Sequence, residues 1–268
     1  MNRISPQIAL FALLPISLLL ASGAAYPASD PQTVLITGAN RGIGFEFVKQ
    51  YAAKDAKVIA TCRNPDKADD LNAFAAANDN VTVERLDLVD LDGIDALADK
   101  YAGQPIDVLV NNAALMRGPD KGQTFGSIDY TWFDEWYHAN TRGPLKVTEA
   151  FWPHVQASDD GLVASLTTGQ GPSGIPILGF AYYKSSKAAI DNLMLDVARK
   201  GKKVGVRVIT ISPGRVPTHG GSMQKGMVEI EDSIAGMIKV FDEFTIEQNG
   251  RSYRHDGSET TLDSPPRE

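Results

Sequence analysis

The chain has 268 residues, 43% of them hydrophobic and 22% charged, an ordinary globular composition with enough apolar side chains for one sizeable core. A formal net charge of -7 excludes nucleic acid as the main partner, because phosphate recognition rests on clustered Lys and Arg. The single cysteine, Cys62, excludes an intrachain disulfide, and His138, His154, His219 and His255 are too scattered to imply a zinc site, so no metal is expected.

Asn2 and Arg3 precede an apolar run from Ile8 to Ala21 and then small residues around Ala24 and Ala25, which reads as a secretory signal peptide over residues 1–25. The run is shorter than the roughly 20 residues of a spanning helix, and Pro15 interrupts it, so an uncleaved anchor is the second reading and a misassigned start the third. Export to a periplasm or tethering at a membrane would follow from the first two. Residues 26–32 form a short Pro-containing linker. Strand candidates then fall at Thr33 to Ile36, Lys57 to Ala60, Val81 to Leu86, Ile106 to Val110, Leu162 to Leu166 and Val206 to Ile211. They are short and rich in Val, Ile or Leu without clean alternation, as strands covered on both faces are. Between them, Gly42 to Lys54, Pro65 to Ala77, Asp90 to Tyr101, Ile128 to Pro153, Phe180 to Lys200 and Glu229 to Phe241 are long enough for crossover helices. This alternation predicts an α/β fold over residues 33–251, a single-domain doubly wound parallel sheet flanked by helices, of Rossmann type. Residues 252–268 are polar and contain proline, and are expected to be a tail that lies over the surface or is disordered.

Three segments stand where such a fold can do chemistry. Gly38, Gly42 and Gly44, with Asn40, Arg41 and Ile43 between them, lie where the first strand passes into the first helix. Gly38 permits a tight turn, Gly42 lets backbone approach phosphate oxygens, Gly44 lets helix pack on strand, and the helix N-terminus offers unpaired N–H donors to a pyrophosphate. The spacing departs from G-x-G-x-x-G, and alone it would fit an ordinary turn into a helix. Tyr183 and Lys187 are four apart on a helix candidate and share a face. An ammonium beside a phenol favours the phenolate, bringing an acid and base of pKa about 10 closer to working pH. Tyr182 lacks this, its partner at the same spacing being Ser186.

Together, Thr-Gly-x-x-x-Gly-x-Gly from Thr37, Asn111-Asn112-Ala113, Tyr183-x-x-x-Lys187 and Pro213-Gly214 resemble the short-chain dehydrogenase/reductase family from Thr33 to about Gly257. Within it, residues 213–221, Gly250-Arg251 and Asp256-Gly257 look like the group of small carbonyl reductases and C-factor-like proteins. The resemblance implies a nicotinamide cofactor, a small-molecule carbonyl or alcohol substrate and hydride transfer between them. It assigns Tyr183 and Lys187 as the catalytic pair, Thr168 as the substrate-positioning hydroxyl where the family has serine, and Asn140 as the proton-relay member. It further assigns Asp87 and Leu88 to the adenine, Asn112 and Ala113 to the cofactor-facing loop, and Pro213, Gly214, Val216 and Thr218 to the nicotinamide side. Ala114 stands where the family has glycine, and residues 171–179 and 215–227 would wall the substrate cleft. At the end of the second strand Thr61-Cys62-Arg63 has no carboxylate, so Arg63 and Arg41 can clamp a 2'-phosphate, and NADPH (NADP) is expected over NAD. Such a cofactor belongs to the cytoplasm, against the signal-like N-terminus. The aromatics from Tyr130 to Tyr137 with Phe151 and Trp152 resemble the family's association surface and imply a homodimer or homotetramer. A largely non-catalytic NADPH-sensing regulator on the same fold is the alternative; a sugar-nucleotide epimerase would need an appended domain.

Overall fold

The computed structural model describes residues 31–116, 122–168, 179–217 and 222–260. The expected signal peptide lies outside the described residues, as do Thr218 and most of residues 171–179. No described helix is long and apolar enough to cross a membrane.

The elements alternate from β1 (Thr33–Thr37), α1 (Gly42–Ala52), β2 (Lys57–Cys62), α2 (Asp69–Ala76), β3 (Val81–Arg85) and α3 (Leu91–Lys100) to β4 (Val108–Asn111). Then come α4 (Phe133–Tyr137), α5 (Gly143–Ala150), α6 (Trp152–Gln156), β5 (Leu162–Leu166), α7 (Ala181–Val204), β6 (Arg207–Ser212), α8 (Ile230–Glu243), β7 (Ser252–Arg254) and β8 (Glu259–Thr260). The sheet runs β3-β2-β1-β4-β5-β6-β7-β8 and is parallel except for the last pair. This is a single-domain α/β fold of Rossmann type.

Successive strand residues feed opposite layers. Val34 and Ile36 of β1 pack with Phe47 of α1 and Ile234 and Phe241 of α8, while Leu35 joins Ile94 of α3, Val147 of α5 and Met194 of α7 on the other face. Both faces are dry, so each position is worth about 1.5–3 kcal/mol when filled by a large aliphatic, and hydrophobic alternation along the strand vanishes. The chain order reverses direction between β1 and β4, which are adjacent. Loops leaving the carboxyl ends of these two strands diverge to opposite faces and open a crevice there.

Two expectations need correction. The polar tail does not begin at Ser252: β7 pairs in parallel with β6, Ser252 opposite Thr210, and Tyr253 is buried. Only one apolar residue marks this strand. Its approach is set by Asn249, whose side chain accepts from Val208 N at 2.9 Å and donates to Ala198 O and Val206 O. The helix expected across Ile128 to Pro153 is broken into a 3-10 turn, α4, a π-turn (His138–Arg142), α5 and α6. Gly143 explains part of this, since a Cβ there would lie 2.6 Å from Leu88 Cβ and 2.7 Å from Leu88 O, so the segment runs hard against the β3–α3 loop. Pro144 and Pro153 each deny the ladder an N–H donor. The aromatics on this segment divide: Trp136, Phe151 and Trp152 are core, whereas Tyr130 and Phe133 are exposed.

Candidate active site

The crevice at the carboxyl end of the sheet is a cleft of about 770 Å³. Its floor is the turn from β1 into α1. Gly38 and Gly42 have φ of +66° and +55°, where a side chain would be strained. A Cβ on Gly44 would lie 2.2 Å from Gly38 O, so this glycine closes the turn onto the helix, whereas a Cβ on Gly42 would meet nothing within 4 Å. Gly42 therefore keeps an open cradle. Helix α1 starts there with no side-chain cap and no acidic residue in its first turn, leaving its leading N–H groups for an anion. The cradle fits a pyrophosphate. Asn112 and Ala113 hold it from behind: both backbone N–H groups donate to Thr37 Oγ1 at 3.0 Å, and Asn112 Nδ2 donates to Thr37 O at 2.8 Å and Gly38 O at 3.1 Å. The Asn112 side chain is thus a strut of the turn.

One end of the cleft is lined by Arg41, Arg63, Asn64 and Lys67, with Asp87, Leu88 and Val89 along the wall from β3. No described carboxylate pairs with the three cations. Lys67 was not anticipated from sequence. It reaches the cleft because a 3-10 turn, Pro65–Lys67, folds the chain back after β2, and no helical spacing advertises that turn. Asp87 Oδ1 accepts from Val89 N at 3.2 Å, while the cap of α3 is Asp90, which accepts from Gly93 N at 3.0 Å. Asp87 is therefore left on the cleft wall instead of serving as that cap.

Tyr183 and Lys187 of α7 line the other end with Leu166, Thr167, Leu115 and Met116. Lys187 is buried, and its Nζ donates to Leu166 O at 2.7 Å. Burial pulls this ammonium down to about 8, opposed by the charge of Asp191 one turn further along α7. Asp191 in turn accepts from Thr167 Oγ1 at 2.6 Å, and burial pushes its carboxyl up to about 6. Burial also raises the Tyr183 phenol, and a hydrogen bond with the Thr168 side chain works the other way. The lowering of that phenol expected from Lys187 is not seen in this arrangement, where burial and the Thr168 bond set the direction. Thr168 stands where the site needs a second hydroxyl beside the tyrosine. Tyr182 faces elsewhere, its hydroxyl donating to Asp129 O at 3.0 Å.

Asn140 lies in the π-turn, fully buried behind the cleft wall. Its Oδ1 accepts from Leu115 N at 2.6 Å, and its Nδ2 donates to Leu115 O at 2.9 Å and Ser186 Oγ at 3.1 Å. The side chain thus ties the loop after β4 to α7 beside Lys187. Pro213 and Pro217 line the cleft; Gly214 and Val216 are not among the described residues that do. Gly214 has φ +75° and packs on His255, whose ring a Cβ would approach to 2.8 Å. No group of three or more His, Cys, Asp or Glu among the described residues is arranged to hold a metal ion.

The family model described as short chain dehydrogenase matches residues 32–226. A 1-hydroxy-2-glutathionyl-2-methyl-3-butene dehydrogenase of Rhodococcus sp. (strain AD45) is 32% identical over 233 residues, covering 84% of this chain and 97% of its own. The NADPH-bound carbonyl reductase from chicken fatty liver superposes with a TM-score of 0.79 at 26% identity, covering 86% of this chain and 99% of that one. A Burkholderia multivorans chain solved with bound NADP gives a TM-score of 0.74 at 26% identity, over 85% and 98%. With the glycine turn, the parallel sheet and the Tyr183 and Lys187 pair in one cleft, the chain belongs to the short-chain dehydrogenase family of oxidoreductases.

Proposed function

We propose that the protein is an NADPH-dependent oxidoreductase acting on the carbonyl group of a small, largely apolar ketone or aldehyde, or on the corresponding alcohol. The observation that carries this reading is one cleft with three cations at one end and Tyr183 and Lys187 at the other, where the Tyr183 hydroxyl is hydrogen-bonded to the Thr168 side chain. Bound there, a reduced nicotinamide supplies the hydride. Tyr183 gives its phenolic proton to the substrate oxygen as that oxygen gains negative charge, Thr168 holds the oxygen in line, and the Lys187 ammonium stabilises the phenolate left behind. Leu115 and Met116 give the substrate side an apolar wall. The NADPH-bound and NADP-bound relatives support the choice of phosphorylated cofactor.

Cofactor oxidation with a panel of ketones and aldehydes tests the reaction, and its absence across the panel would favour the non-catalytic reading. Arg63 tests the cofactor. Arg63→Ala is expected to raise the KM for NADPH by about tenfold and that for NADH much less, because a charge-assisted contact to the 2'-phosphate exists for one cofactor only. Equal effects on both would make Arg63 a structural residue.

We also propose a homodimer or homotetramer, with Tyr130 and Phe133 in the contact, since they are 75% and 42% exposed while Trp136, Phe151 and Trp152 are core. Sedimentation velocity at micromolar concentration should show the assembly, and Tyr130→Glu should weaken it; a wild-type monomer refutes it.

A further inference from the structure

Helix α7 carries both Tyr183 and Lys187, yet its own sequence does not secure its first turn. The residue before it, Phe180, provides no side-chain cap, and no acidic residue stands in the first turn. Tyr183 is the third residue of the helix, one of the leading positions whose N–H has no partner within the helix. First turns fray, and a frayed first turn would move the Tyr183 side chain with it.

The missing acceptor comes from 60 residues away. Gln123 Oε1 accepts from Tyr183 N at 3.1 Å, and Gln123 O accepts from Ala181 N at 3.2 Å. Gln123 is 1% exposed, and it is the only buried residue between 122 and 130, a loop whose other residues are half-buried or exposed. An amide is costly to bury without partners, so its position in this loop needs a reason. The loop itself is closed tightly: Gly122 has φ +69°, its carbonyl accepts from Asp129 N at 3.1 Å, and a Cβ on it would lie 2.5 Å from Asp129 Cβ. It is fastened to α7 a second time through the Tyr182 hydroxyl on Asp129 O at 3.0 Å and the edge of Phe133 on the Tyr182 ring, centroids 5.6 Å apart.

We infer that Gln123 is a positioning residue for Tyr183, capping the catalytic helix from the loop before α4 and so holding the phenol at the reacting end of the cleft. The cap replaces what Ser, Thr, Asp or Asn does at most helix starts, where the side-chain oxygen takes the N–H of the second or third residue. A neutral amide performs it without placing a negative charge at the end of the helix where a phenolate must form. The catalytic half of this inference rests on the reaction proposed above.

The test compares Gln123→Leu, which keeps the volume and removes the acceptor, with Gln123→Glu, which keeps an acceptor oxygen. Amide hydrogen exchange resolved at Ala181 to Tyr183 needs no turnover and reads the cap directly. In the full chain, Gln123→Leu should speed exchange at Tyr183 about tenfold, the effect of losing one capping bond, and Gln123→Glu should leave it within about twofold of wild type. With a turned-over carbonyl substrate, Gln123→Leu should lower kcat by about tenfold with the KM for NADPH unchanged, because the glycine turn and the cation end of the cleft lie on other elements. Unchanged exchange in Gln123→Leu overturns the cap. Faster exchange with unchanged kcat overturns the positioning role. A wild type without activity on any carbonyl overturns the reaction above and confines the inference to the exchange result.

Discussion

Tyr183→Phe should lower kcat for carbonyl reduction by about 10³-fold, within the 10²–10⁴-fold range for loss of a general acid, while NADPH affinity stays within about twofold. The hydroxyl is the only group removed, and the ring keeps its edge contacts with Trp136 at 6.2 Å and Phe180 at 6.5 Å, so the wall of the cleft survives. Tyr182 offers no rescue, being buried and committed to Asp129 O. Thr168 loses a hydrogen-bond partner but is no substitute, because an aliphatic hydroxyl does not ionise near working pH. Steady-state kinetics beside a fluorescence titration of NADPH separate the two effects. Most of the activity surviving in Tyr183→Phe would end the assignment of Tyr183 as acid.

Lys187→Ala should lower kcat/KM by about 10²–10³-fold, in the range for removing a charged or oriented stabiliser of developing charge. Unlike the tyrosine change it should weaken NADPH binding as well, since an ammonium lining the cleft can donate to a ribose hydroxyl of the cofactor as well as stabilise the phenolate. Stability should move little, for two effects oppose. Leu166 O loses its donor, but the folded state no longer holds a buried charge against its preference. The sign follows from the shift: burial depresses the lysine to about 8, so below that pH the folded protein carries the charged form at a penalty, and above it the ammonium is lost. Reduction should therefore decline above about pH 8 in the wild type. Asp191→Asn removes the charge that holds this ammonium up and should move the decline to lower pH. A pH profile that is flat through this region in both proteins, or loss of rate without loss of NADPH affinity in Lys187→Ala, would break the dual role.

How much was legible in the sequence varies with how local the cause is. The β1 to α1 turn could be read in advance because glycines answer to local sterics: φ of +66° at Gly38 and contact at Gly44 follow from the tightness of one turn. The pairing of Tyr183 with Lys187 could be read because four residues along a helix always share a face. Lys67 was hidden because its reach depends on a 3-10 turn without periodicity, and Gln123 because nothing in Gly-Gln-Thr-Phe-Gly marks a glutamine that will be buried. Asn140 was found by its motif, but its partners, Leu115 and Ser186, are 25 and 46 residues away.

By itself the sequence determined the alternation of strands and helices, the parallel sheet they imply, the glycine turn into α1 and the placing of Tyr183 and Lys187 on one face of a helix. Each of these is written in side-chain spacing or in single-residue backbone freedom, and both are short-range properties. Only the tertiary structure decided that the sheet continues through β7, that the long segment before β5 is broken against Leu88, and that the lysine sits on Leu166 O with Asp191 below it. It also decided what secures the start of α7. These depend on which distant groups meet in a dry interior, where one unpaired N–H or one extra methyl changes the answer, and composition and periodicity carry no record of that meeting.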